Sequence, residues 1–190
     1  VTVPALPPPQ SVSGPWTLSF PAGMDVPEQV TLDRLASLTE HPNEAIKHFS
    51  GTTTYRTTFD LSAPRGNADT QTPLYLDLGR VEAMAEVILN GNNLGVLWKP
   101  PFVVEITTLT KRGPNTLEVR VTDTWRNRLI GDAKFPQGFP ATGDAGQGTS
   151  AAHFKPSLAV NISVSANEKP VPSGLLGPVR LLSTARVPVK

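Results

Sequence analysis

From Leu74 to Val121 apolar and polar side chains take turns along the chain. Leu74, Leu76 and Leu78 alternate with Tyr75 and Asp77, and Ala85, Val87 and Leu89 with Met84, Glu86 and Ile88. After a break at Asn90-Gly91-Asn92-Asn93, apolar runs resume at Leu94–Trp98 and Phe102–Ile106, and Leu117, Val119 and Val121 alternate with Glu118, Arg120 and Thr122. A period of two sends one set of side chains to a core and the other to solvent, so these runs predict strands. Asn-Gly between two runs predicts a tight hairpin, because both residues tolerate positive φ. Arg112-Gly113-Pro114-Asn115 reads as a second turn, since Pro114 cannot donate to a ladder. The runs lie too close together for helical crossovers, which predicts an antiparallel meander.

The flanks carry weaker patterns. Trp16–Phe20 alternates and predicts a strand with Trp16 in the core. Leu32, Leu35 and Leu38 are spaced for a short helical turn, and Pro42–Lys47 for another. Ser50–Leu61 is rich in β-branched and aromatic residues and predicts a strand with Tyr55, Thr57 and Phe59 on one face. Residues 62–73 read as an exposed loop. Beyond Val121 no period is sustained from Thr122 to Pro156, which predicts a long loop of the kind that often carries function. Alternation returns at Ser157–Ser163, and Gly177–Ser183 reads as the last strand. The expected organisation is one all-β domain over residues 15–190, an antiparallel sandwich of roughly eight to ten strands. Before it, residues 1–14, with Pro4, Pro7, Pro8 and Pro9, form either a semi-rigid linker or an edge segment.

The order of these motifs resembles a known family. LDLGRVEAMAEVILNGNNLGVLWKPPFVVEIT, followed by GPNTLEVRVTDTW, is similar to the sugar-binding jelly-roll (galactose-binding-like) domain of family 2 glycoside hydrolases. It is more similar still to the accessory domain of family 106 α-L-rhamnosidases. HFSGTTTYRTTFDL before it and SGLLGPVRLLS after it extend the resemblance over residues 16–184. The resemblance implies a non-catalytic domain of a larger secreted or periplasmic enzyme. It leaves two roles open: a module that binds plant or microbial polysaccharide, or a structural domain that packs on the parent's catalytic domain without binding sugar by itself.

Composition narrows the chemistry. With 17 basic and 16 acidic residues the net charge is +1, so neither nucleic acid nor an anionic membrane is expected as partner. No cysteine is present, which removes disulfides and thiol chemistry. The chain opens at Val1 without a signal peptide, which reads as a fragment or mature segment. No nucleophile-elbow, HExxH or phosphate-loop motif occurs, and no pair among the acidic residues stands out for glycoside hydrolysis. His41 and His48 lack a third ligand at metal spacing and read as structural or surface residues. Many β-sandwich sugar binders hold a structural calcium. Asp144 between Gly143 and Gly146 lacks EF-hand spacing and reads as an ordinary turn acid, so no cofactor is expected, with a structural calcium as the alternative. Asn161-Ile162-Ser163 matches a glycosylation sequon, but a strand position argues against its modification.

Sugar recognition needs an aromatic face for C–H surfaces and fixed donors for hydroxyls. Trp98, Lys99, Trp125, Arg126, Asn127 and Arg128 supply both at predicted strand ends. Each has a plainer reading. Trp98 or Trp125 could plug the core, and Arg126 or Arg128 could pair with Asp123 or Asp132.

Overall fold

The computed structural model describes residues 6–61, 72–140 and 164–185. In chain order the strands are β1 (Gln10–Ser11), β2 (Trp16–Ser19), β3 (Gln29–Leu32), β4 (Thr52–Phe59), β5 (Leu74–Asp77) and β6 (Arg80–Glu82). They continue as β7 (Met84–Leu89), β8 (Asn92–Leu97), β9 (Val103–Glu105), β10 (Asn115–Thr122), β11 (Gly174–Gly177) and β12 (Arg180–Ser183). A 3-10 turn at Leu38–Glu40 and two helices, α1 (Glu44–Lys47) and α2 (Arg126–Lys134), complete the described elements.

The strands form an antiparallel sandwich. One sheet has six strands in the order β3-β2-β4-β10-β7-β8, and the other has four in the order β1-β12-β5-β9. The short pair β11–β6 stands beside them. Alternation decides which side chains fill the space between. Leu76, Leu78, Ala85, Val87, Leu89, Leu117 and Val119 are wholly buried, and Trp16 and Tyr55 join them as the largest buried side chains. The opposite face of the six-stranded sheet carries charge in cross-strand rows. Arg56 donates to Glu118, Arg120 to both Glu118 and Glu86, and Asn93 to Glu86. The same pattern that buries one face thus leaves the other hydrated.

The expected meander is corrected by the pairing. β5 binds β12 and β9, β7 binds β10 and β8, and β6 binds β11, so the Leu74–Val121 stretch is shared between the two main sheets and the short pair. Only β7–β8 is a hairpin between consecutive strands of that stretch, and the turn before Asn115 crosses between sheets. Alternation sets which face is buried but not which neighbour is bound, so period alone could not separate a meander from a sandwich. The hairpin itself is as expected: Asn90 and Gly91 have φ of 51° and 82°. Leu32 lies in β3 instead of a helical turn, pairing with Trp16. Of the last expected strand, Gly177–Ser183, only Arg180–Ser183 forms β12; Pro178 separates it from β11, which ends at Gly177. Gln10 and Ser11 pair with Leu181 and Arg180, at the edge of the smaller sheet.

The stretch after Val121 is also corrected: it opens with α2 rather than an irregular loop. Trp125, at the N-cap, makes no side-chain capping bond. The cap comes from across the fold, where Ser50 Oγ accepts from the Arg128 amide at 3.2 Å and donates to the Thr124 carbonyl at 2.8 Å. Below the helix, a Cβ on Gly131 would come within 2.7 Å of His48 Cβ, so the missing side chain lets α2 approach His48 and Phe139. The His48 ring stacks on Phe139 and meets Phe135 edge-on, while its Nδ1 bonds the Glu44 carbonyl at 2.9 Å. Burial pushes its pKa down.

Candidate functional site

The register of three strands gathers the candidate residues at one end of the larger sheet. Thr122 pairs with Met84, and Ala85 with Leu97, so the residue after β8, Trp98, falls beside Met84. Trp125 follows Thr122 by three positions, where β10 hands the chain to α2. Both tryptophans face solvent, Trp98 at 69% and Trp125 at 68% exposure, so neither plugs the core. Lys99 Nζ lies 5.1 Å from the centre of the Trp98 ring, at cation–π distance. Met84 and Val96 are exposed on the same face.

The other candidates hold the protein's own groups. Arg126 pairs with Glu168. Arg128 bonds Asp132 at 2.8 Å and lies over the Phe139 ring. Asn127 is buried, and its amide bonds both backbone groups of Val171, each at 2.8 Å. These contacts pin the 171–173 segment against α2.

Between that segment, α2 and the β6–β7 link lies a pocket of about 260 Å³. Its polar lining includes Arg80, Glu82, Asp123, Thr124 and Ser173, with Ala83, Val171 and Pro172 as the apolar part. Arg80 is paired with Glu82 at 2.9 Å. Asp123 uses one oxygen on the Gly51 amide at 2.8 Å, and its own amide donates back to the Gly51 carbonyl at 3.1 Å. The second oxygen, Oδ2, is buried without a hydrogen-bond partner among the described residues, as is Ser173 Oγ. Burial pushes the Asp123 carboxyl up to about 7, against the pull of its backbone donors.

The sequence marks Asp123 only as an ion-pair partner and does not mark Ser173 at all. No local pattern singles out Ser173, which reaches the pocket because Ser37 Oγ accepts from its amide, 136 residues away in the chain. Among the described residues no cluster of three or more His, Asp or Glu side chains is placed to hold a metal. Asp144 with Gly143 and Gly146, His153, Phe154, the sequon at Asn161 and the expected strand 157–163 lie outside the described residues.

Known proteins share this fold. A family model described as "Glycosyl hydrolase 2 galactose-binding domain-like" matches residues 22–161. A "Putative beta-glucuronidase" of Formosa agariphila is 44% identical over 142 residues, which are 75% of this chain and 12% of that protein. The solved rhamnosidase of Novosphingobium sp. PP1Y superposes with a TM-score of 0.71 at 33% identity, over 96% of this chain and 16% of that one. An FMN-binding beta-glucuronidase from Facaelibacterium prausnitzii L2-6 shares the fold, with a TM-score of 0.56 at 19% identity over 94% of this chain and 22% of its own. The chain thus spans under a quarter of each of these proteins, the share of an accessory domain rather than of a whole glycosidase. This chain belongs to the galactose-binding-like domains of glycosyl hydrolase family 2.

Proposed function

We propose that the domain binds carbohydrate, without catalysing its cleavage, as part of a larger rhamnosidase-like glycoside hydrolase that is secreted or periplasmic. The observation that carries this reading is the pair of solvent-facing tryptophans, Trp98 and Trp125, at one end of one sheet. An exposed indole loses little conformational entropy on binding and offers an apolar face to the C–H side of a sugar ring. The pocket whose lining includes Thr124, next to Trp125 in the chain, adds acceptors for hydroxyl groups. Isothermal titration against plant and microbial polysaccharides tests the reading. Binding that weakens in Trp98→Ala supports it, and no heat with any polysaccharide overturns it.

A second reading has its own observation. Met84, Val96 and Trp98 make an apolar group beside the edge strand β8, suited to packing on the parent's catalytic domain. In that case Trp98→Ala weakens association with the separately produced catalytic domain and leaves polysaccharide binding unchanged.

A further inference from the structure

We propose that the pocket between α2, the β6–β7 link and residues 171–173 takes a single neutral sugar ring, whose hydroxyls donate to Asp123 Oδ2 and Ser173 Oγ. The inference rests on the carbohydrate-binding reading and gives it a subsite and a charge preference.

Two polar atoms with no partner point to a ligand. Ser173 is 2% exposed, and neither its Oγ nor Asp123 Oδ2 has a hydrogen-bond partner among the described residues. Buried polar side-chain atoms are seldom left unsatisfied in a folded protein, and the two residues that carry these atoms line one cavity. An ionised carboxylate can only accept, and a hydroxyl can accept beside its own donation. A ligand with adjacent hydroxyl donors satisfies both.

The walls are fixed before any ligand arrives. Gly51 holds Asp123 through two backbone-linked hydrogen bonds. Asn127 holds Val171 through two more, and Ser37 and Leu38 hold the two backbone groups of Ser173 at 3.0 and 3.1 Å. Such preorganisation lowers the ordering cost of binding.

Size and charge choose among ligands. At about 260 Å³ the pocket falls below the volume of sites for drug-sized molecules, roughly 300–1,000 Å³, which suits one ring rather than an oligosaccharide. Ala83, Val171 and Pro172 supply apolar contact for its C–H face. Arg80 is neutralised by Glu82, leaving Asp123, ionised above its raised pKa of about 7, as the uncompensated charge in the lining. A uronate would bring a third carboxylate against it, so neutral sugars are preferred over acidic ones.

Two lining residues of the pocket are chain neighbours of the tryptophan end. Thr124 precedes Trp125, and Ala83 precedes Met84, which neighbours Trp98. A glycan lying along the indoles can therefore place a terminal residue in the pocket.

The test is nuclear magnetic resonance titration, at about pH 8 so that Asp123 is ionised, of the 190-residue protein with methyl glycosides of neutral hexoses and 6-deoxyhexoses, sodium D-glucuronate, and ethanolamine as a small cation. The same samples are assayed for polysaccharide binding. The expected result is saturable shifts of the Thr124, Asn127, Val171 and Ser173 amides with at least one neutral glycoside, and at least about tenfold weaker binding of glucuronate, a ratio corresponding to ~1.4 kcal/mol. Asp123→Asn and Ser173→Ala, each melting cooperatively, should each lose at least fivefold in that affinity. Equal binding of glucuronate, or pocket shifts with ethanolamine alone, overturns the proposal. Unchanged neutral-glycoside affinity in both variants does so too. If polysaccharide binds but no glycoside shifts these amides, the pocket assignment fails while the carbohydrate-binding reading stands. If neither binds, both fail.

Discussion

The hydroxyl of Ser50 caps a helix that begins 76 residues later, accepting from the Arg128 amide at 3.2 Å while donating to the Thr124 carbonyl at 2.8 Å. This one side chain ties the start of β4 to the start of α2, and so to the rim of the pocket. Ser50→Ala leaves an amide at the helix start without its acceptor, and removal of such a cap typically costs about 1 kcal/mol. Urea denaturation should show that loss, with faster amide exchange confined to residues 126–130. A midpoint equal to wild type, with unchanged exchange there, would show that water replaces Ser50 without loss.

That relationship also explains why α2 was invisible in the sequence. A helix start is usually legible as a capping residue just before an apolar period. Here the N-cap position is Trp125, the cap is Ser50, and Gly131 sits inside the helix because His48 leaves no room for a side chain. By contrast, burial faces were legible wherever alternation was strong: Ala85, Val87, Leu89, Leu117 and Val119 are all buried as their period requires. Asn90-Gly91 was legible because the hairpin's chemistry is contained in two residues. The candidate site was legible in part. Trp98 and Trp125 can be picked out by type, but Asp123 Oδ2 and Ser173 Oγ become notable only through the bonds they lack.

Two glycines with positive φ should respond differently to a side chain. Gly91 has φ +82°, and nothing lies within 4 Å of the place a Cβ would take, so Gly91→Val costs backbone strain alone, roughly 1–3 kcal/mol. At Gly174, φ +92°, a Cβ would fall 2.2 Å from the Tyr55 hydroxyl, whose side chain is wholly buried and cannot retreat. Gly174→Ala should therefore lower the denaturation midpoint more than Gly91→Ala does. The reverse order would mean that the Tyr55 ring shifts easily in the core.

Asp123 should make stability fall as pH rises. Its folded pKa, about 7, lies above the ordinary 3.8 because burial disfavours the charge, so the folded state holds the proton more tightly. Its stabilising contribution is full below about pH 4 and is lost as pH rises towards 7. His41 and His48 are shifted down, chiefly by burial, and act in the opposite sense, losing stability as pH falls. At Glu44 and Glu118 burial pushes upward but the Lys and Arg partners together prevail and lower the pKa, so these two weaken the fold only in acid below the usual carboxylate range. Subtracting the Tm profile of Asp123→Asn isolates the carboxyl, since Asn keeps an oxygen for the Gly51 amide. From about pH 5 to pH 7.5 the difference, wild type minus variant, should fall; a flat difference would place the carboxyl at an ordinary pKa.

Glu82 and Asp123 share a pocket, yet the domain should cleave no glycoside. Glycosidases need one carboxyl as acid and a second as nucleophile or base. Glu82 is engaged by Arg80 at 2.9 Å, and Asp123 has one oxygen fixed on Gly51. Reducing-sugar assays on neutral and acidic glycans should stay at background. Turnover that survives purification and disappears in Asp123→Asn would falsify the non-catalytic assignment.

The tryptophan pair offers the sharpest separation of binding from folding. Trp16 is 1% exposed, whereas Trp98 and Trp125 are more than two-thirds exposed. Truncating a buried tryptophan costs about 3–5 kcal/mol through lost burial and the cavity left behind. Trp16→Ala should thus unfold much of the population or lower Tm steeply. Trp98→Ala and Trp125→Ala remove side chains that folding leaves largely in water, so their Tm should stay near that of wild type. Their affinity for a bound polysaccharide should nevertheless fall, by about 1–3 kcal/mol if an indole on a sugar ring contributes as much as an aromatic side chain stacked on a nucleobase. Arg126→Ala makes a useful control, because Arg126 pairs with Glu168 at the same end of the sheet. It should weaken binding only if the guanidinium leaves that carboxylate to meet the ligand. Calorimetry and thermal melting on the same four variants decide the matter. Full polysaccharide affinity in well-folded Trp98→Ala and Trp125→Ala would remove this end of the sheet from the binding surface.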